Sequence, residues 1–142
     1  MIKYQEILDK NLLNELKDKL NNIKNNGLIN NNHLYITFLT NHKMTELPNW
    51  IKQKYPEEMT IVIQYEYNNL KVNQKDFSIT LSFNDIKTNL KINYDSVLSF
   101  ADPSANFGIV LQKSKIQKKR KENLKKDNST DNVINFSNYK KN

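Results

Sequence analysis

Cysteine is absent from this 142-residue chain, which excludes both a disulfide framework and a thiolate metal site. Only two glycines occur, Gly27 and Gly108, too few for a Gly-rich loop that cradles phosphate. The two histidines, His33 and His42, lack the close spacing of a metal-binding pair such as His-x3-His. No apolar run approaches the roughly 20 residues that span a bilayer. The opening "MIKYQEILDKNLL" also lacks the apolar core of a secretion signal. Glu57 and Glu58 adjoin in "YPEEM", where a solvated turn explains them better than a general acid/base pair. No serine or threonine is recognisably paired with a base. The expectation is a cytoplasmic protein that is not an enzyme, with no cofactor, no metal and no membrane segment.

Charge is plentiful but unevenly placed. Residues 1–112 carry 12 Lys against 12 Asp plus Glu, whereas residues 113–142 carry 10 Lys plus Arg against 3 acids. The whole excess of +7 therefore belongs to the C-terminal segment. A neutral body without a basic and aromatic patch argues against nucleic acid as its partner.

The hydrophobic period changes once. Tyr4, Ile7, Leu8, Leu12, Leu16, Leu20 and Ile23 recur at three- and four-residue steps, which predicts a helix over residues 3–25 with one apolar stripe. Gly27 suits its C-terminal cap. From His33 onward the period is two. "HLYITFL", "TIVIQYEY", "FSITLSF" and "LKINY" each alternate apolar with polar residues, the mark of antiparallel strands with one buried face. "NQKD" and "NDIKTN" suit hairpin connections, Pro48 opens a short helix in "PNWIKQKY", and "FGIVL" supplies a last strand. The predicted class is α+β: one N-terminal helix and a strongly curved, mostly antiparallel sheet of about six strands, or a small partly open barrel.

After Gln112 the periodicity ends. "KSKIQKKRKENLKKDNSTD" contains too little apolar surface to offset the entropy of ordering and reads as a disordered basic linker. Yet the last residues gather Val133, Ile134, Phe136 and Tyr139 in front of Lys140 and Lys141. Three regions are expected: 1–112 as the folded body, 113–131 as linker and 132–142 as a terminal cluster of apolar residues and lysines.

The runs "HLYITFLT", "YPEEMTIVIQYEYNNLKV", "FSITLSF" and "FADPSANFGIVL", in this order, resemble the stringent starvation protein B (SspB) family, in particular its alphaproteobacterial branch. One departure stands out. The family usually has Phe-Gly-Gly-(Val/Ile)-Pro where this chain has Phe83-Asn84-Asp85-Ile86-Lys87. The resemblance implies a homodimer with an Sm-like β fold that holds the ssrA degradation tag and delivers tagged polypeptides to the ClpX unfoldase of ClpXP. By the same resemblance, Leu81 lines the tag groove, joined by Ile79, Phe83, Ile63 and Tyr65. The helix stripe with Tyr4, Leu8, Leu12, Leu16 and Leu20 would form the dimer interface. The family's terminal motif resembles Val-Val-Ser-Leu-Asp-x-Phe-Arg-Lys-Lys, and Val133, Ile134, Phe136, Tyr139, Lys140 and Lys141 would match it as the part that docks on the ClpX N-terminal domain. The alternative is an Sm-like RNA-binding protein that grips phosphates with its basic tail, which would show steep salt dependence.

Overall fold

A computed structural model of the chain describes residues 3–28, 33–64 and 67–113. Helix α1 (Tyr4–Asn26) follows the predicted stripe, and Gly27 ends it at φ 74°, its amide bonded to the carbonyl of Ile23 at 2.8 Å. The stripe is not used evenly. Leu13, Leu16, Leu20 and Ile23 are buried, whereas Tyr4, Ile7 and Leu8 are 70%, 50% and 49% exposed. From Leu12 onward α1 packs on the body, while the apolar side chains of its first turns, Tyr4, Ile7 and Leu8, overhang it.

Among the described residues seven strands follow: β1 (Leu34–Leu39), β2 (Glu58–Ile63), β3 (Tyr67–Val72), β4 (Asp76–Phe83), β5 (Ile86–Asn93), β6 (Val97–Asp102) and β7 (Phe107–Val110). Helix α2 (Asn49–Lys54) lies between β1 and β2, opened by Pro48 as expected. The ladders form two sheets rather than one, ordered β2-β1-β6-β7 and β3-β4-β5, and every pairing is antiparallel. The α+β class stands. The strand expected across "TIVIQYEY" is divided: β2 ends at Ile63 and Tyr67 opens β3 in the other sheet. Strand β6 did not announce itself by alternation, because Val97, Leu98 and Phe100 are all buried in the middle of its sheet.

One core joins all these elements. It draws Leu16 and Leu20 from α1, Ile36 and Phe38 from β1, Ile51 from α2, Ile61 and Ile63 from β2, Phe77 and Ile79 from β4, Leu90 and Ile92 from β5, and Phe100 from β6. Full burial of each such side chain contributes about 1.5–3 kcal/mol. The seated half of α1 is further fixed by Lys17, whose ammonium lies 4.8 Å from the centre of the Tyr94 ring, and by Lys19, 4.2 Å from that of Phe107. Each such contact contributes about 0.5–1 kcal/mol at a half-exposed site.

The departing turn has a simple geometry. Strands β4 and β5 pair from Asp76↔Asn93 to Phe83↔Ile86, leaving only Asn84 and Asp85 in the loop. Both have positive φ, 52° and 66°, the backbone of a type I′ hairpin turn. Asn and Asp tolerate this conformation better than other non-glycine residues, so they can stand where the related sequences have two glycines.

Candidate functional site

The segment between β1 and α2 runs beside the edge of β5. It is anchored first by Thr45, 2% exposed, whose hydroxyl donates to Ser96 Oγ at 3.0 Å and accepts from the Asn93 amide at 3.2 Å. Ser96 Oγ in turn donates to the Asn93 carbonyl at 2.6 Å. Glu46 then pairs with Lys91 through two main-chain hydrogen bonds, of 2.8 and 3.1 Å. Pairing goes no further because Pro48 has no N–H, and its carbonyl accepts instead from the amides of Ile51 and Lys52 in α2.

This interruption shapes the edge of the sheet. In an antiparallel ladder, residues whose main-chain groups point the same way alternate along the strand. The amide and carbonyl of Lys91 point toward Glu46, so those of Asn89 and Lys87 also point away from β4. Beside them lies a cleft of about 390 Å³, lined by Glu46, Leu47, Pro48, Asn73, Ser78, Asn89 and Lys91. At the hairpin end, Phe83 lies opposite Ile86 and meets Trp50 of α2 edge-on, with ring centroids 6.2 Å apart. Trp50 and Ile86 are 39% and 57% exposed. A short row of main-chain groups that have no partner among the described residues is thus flanked by apolar and aromatic surface, an arrangement suited to an extended peptide.

The electrostatics of the cleft are mixed. Lys91 Nζ lies 3.8 Å from exposed Glu46, a pair that contributes little to stability, and 3.9 Å from the largely covered Asp76. Tyr94 donates its hydroxyl to the carbonyl of Asn73 in the cleft wall at 3.2 Å. Burial, with Asp76 adding to it, pushes the pKa of this phenol well above the usual tyrosine value. Among the described residues no group of three or more His, Cys, Asp or Glu could hold a metal ion. The cleft therefore offers main-chain pairing, one aromatic anchor and balanced charge.

The residues expected in a groove are placed differently. Ile63 and Ile79 are fully buried and Leu81 is 5% exposed, all three in the core cluster. Phe83, half-buried at the hairpin end, reaches the candidate surface through Trp50. Tyr65 lies outside the described residues, as do Val133, Ile134, Phe136, Tyr139, Lys140 and Lys141. Of the expected dimer residues, Leu16 and Leu20 are fully enclosed in the chain's own core and Leu12 is partly buried against it, while Tyr4 and Leu8 are exposed. Among the described residues of α1, the large apolar side chains that stay exposed are Tyr4, Ile7 and Leu8.

The comparison with known families decides the wider identity. Residues 7–141 match the stringent starvation protein B family, SspB. The chain belongs to the SspB family. No curated protein matches it. SspB proteins are adaptors in protein degradation rather than a family of enzymes. Among the described residues of this SspB chain, no helix is long and apolar enough to cross a membrane.

Proposed function

We propose that this SspB-family chain is a ClpXP adaptor that holds an extended degradation tag of the ssrA kind along the edge of β5. It would deliver the tagged polypeptide through its C-terminal residues to the ClpX unfoldase. The observation that carries this reading is the interruption at Pro48, which leaves the main-chain groups of Lys87 and Asn89 turned outward beside Trp50, Phe83 and Ile86. Backbone pairing supplies sequence-tolerant affinity, and the flanking apolar surface supplies choice among side chains.

Delivery assigns residues 113–131 to a tether and residues 132–142 to docking on the ClpX N-terminal domain. A flexible linker of about 20 residues has a root-mean-square reach of roughly 25 Å, which holds cargo at about millimolar effective concentration near a docked unfoldase. Pairing of two copies through Tyr4, Ile7 and Leu8 would add a second docking motif, so each contact can be weak and still release. The RNA-binding alternative has the basic segment in its favour, but the 12-to-12 charge balance of the body does not support it.

The test is fluorescence anisotropy of a labelled ssrA-tag peptide at two salt concentrations, beside a labelled single-stranded RNA. Micromolar or tighter tag binding with little salt dependence is expected. A peptide N-methylated at alternate residues should bind at least tenfold more weakly, because it cannot donate to a strand edge. Removal of residues 132–142 should leave tag binding intact and abolish stimulated degradation. RNA binding that falls steeply with salt, without tag binding, would reject the adaptor reading.

A further inference from the structure

The overhanging first turns of α1 are attached to the far end of the body through Asp9. Asp9, half-buried, accepts a hydrogen bond from the Gln112 amide to Oδ1 at 2.7 Å and another from the Lys113 amide to Oδ2 at 3.1 Å. The ammonium of Lys113 donates to the carbonyl of Asp95 in the 3₁₀ turn before β6. Leu111, fully buried, is bonded through its amide to the Leu98 carbonyl, so the chain is fixed to β6 immediately before it reaches Asp9. These contacts bring together the start of the chain and the start of its C-terminal segment, 103 and 104 residues apart.

We propose that Asp9 is a positioning residue: its carboxylate locks the root of the C-terminal segment onto the overhanging turns of α1. Between Tyr4 and Leu12 only Asp9 and Leu12 are not exposed, and Leu8 immediately precedes Asp9. The direction of the Tyr4, Ile7 and Leu8 surface is therefore set through the same carboxylate that fixes where the chain leaves the body. The surface on which two copies pair and the origin of the tether then form one mechanical unit. This inference rests on the reading of α1 as the pairing surface and of residues 113–131 as the tether.

General helix physics predicts the opposite sign for the simplest variant, and this makes the test sharp. Alanine is a better helix former than aspartate, so Asp9→Ala should strengthen α1 if the residue matters only to the helix. If Asp9 is a clamp, Asp9→Ala in the full-length chain frees both amides, whereas Asp9→Asn keeps one carbonyl acceptor. Hydrogen exchange at the Gln112 and Lys113 amides should then be slowest in the parent chain, faster in Asp9→Asn and fastest in Asp9→Ala. Exposed Asp18, changed to Ala on the same helix, should leave both amides as they are. In sedimentation, Asp9→Ala should weaken pairing about five-fold, comparable with loss of a side-chain cap on helix amides. Gln112→Pro removes one donor without touching Asp9, and Gln112 is the first residue of a helical turn, where proline is tolerated. Adding Asp9→Ala to it should cost less than Asp9→Ala alone. Unchanged exchange in Asp9→Ala, or fully independent effects of the two substitutions, would overturn the proposal. A parent chain that never self-associates would reject the pairing reading, while amide exchange would still judge the clamp.

Discussion

The division of α1 into a seated and an overhanging half can be tested by deleting one leucine from each. Leu16 is wholly enclosed, so Leu16→Ala removes its transfer energy and leaves a cavity, costing about 3 kcal/mol. Leu8 is 49% exposed. Its truncation in an isolated chain forfeits at most about half of a leucine's burial energy, roughly 1 kcal/mol. For a body of this size, 1 kcal/mol shifts the melting midpoint by about 4 °C, so the two variants should differ by on the order of 8 °C. The assay is urea and thermal unfolding at a protein concentration low enough for single chains, repeated over a hundredfold concentration range. The cost of Leu8→Ala should grow with concentration, since binding to a second copy stabilises only the native state by mass action. The cost of Leu16→Ala should not. Equal costs at high dilution would refute the division of the stripe, and a concentration-independent cost for Leu8→Ala would refute its place in pairing.

Three further outcomes are expected. Because the folded-state pKa of Tyr94 is raised, the stability it contributes is complete below about pH 10 and is lost at higher pH, as the unfolded chain ionises first, by up to about 1.4 kcal/mol per pH unit. Urea midpoints measured from pH 8 to 11 should fall along that slope, and Tyr94→Phe should flatten it. Asp85→Gly should stabilise the hairpin by about 0.5 kcal/mol, relief of positive φ outweighing the greater freedom of glycine in the unfolded chain; a lower melting midpoint would contradict the turn assignment. Thr45→Val strands the Asn93 amide and should cost about 1–3 kcal/mol. The same change should weaken tag binding in the anisotropy titration, since Thr45 anchors the cleft wall.

How much of this was legible in the sequence depends on what each pattern measures. The three- and four-residue spacing located α1 because burial of Leu16, Leu20 and Ile23 demands that period. It could not locate the overhang, since Tyr4, Ile7 and Leu8 keep the same spacing without being covered. Alternation in "FSITLSF" separated the inward face of β4 from its outward face. Ile79 and Leu81 stand out in the sequence because they are buried, which is what the alternation measures. The cleft is lined instead by residues with little sequence signal, such as Ser78, Asn89 and Glu46. Alternation also ran through Gln64 without a break, which concealed the passage from β2 into a second sheet. Pro48 was legible as a helix start. Its effect on the neighbouring edge appears only when β5 is beside it.

The order of strands has a consequence for how the chain reaches this structure. Sheet β3-β4-β5 joins neighbours in sequence, and its central hairpin closes over two residues. The other sheet cannot be completed in that way, because β1 pairs with β6 from Tyr35↔Ala101 to Phe38↔Val97. Closing a loop of about 60 residues costs roughly 3–4 kcal/mol of chain entropy beyond a constant, a cost that the local hairpins avoid. Formation of the β3-β4-β5 meander shortens the effective loop before β6 arrives, so amides of β4 and β5 should gain protection in pulsed exchange before those at the β1–β6 seam. During synthesis the β1–β2 hairpin must wait for some 40 further residues with one side unpaired. That interval, rather than the finished fold, is when this chain most needs protection from aggregation.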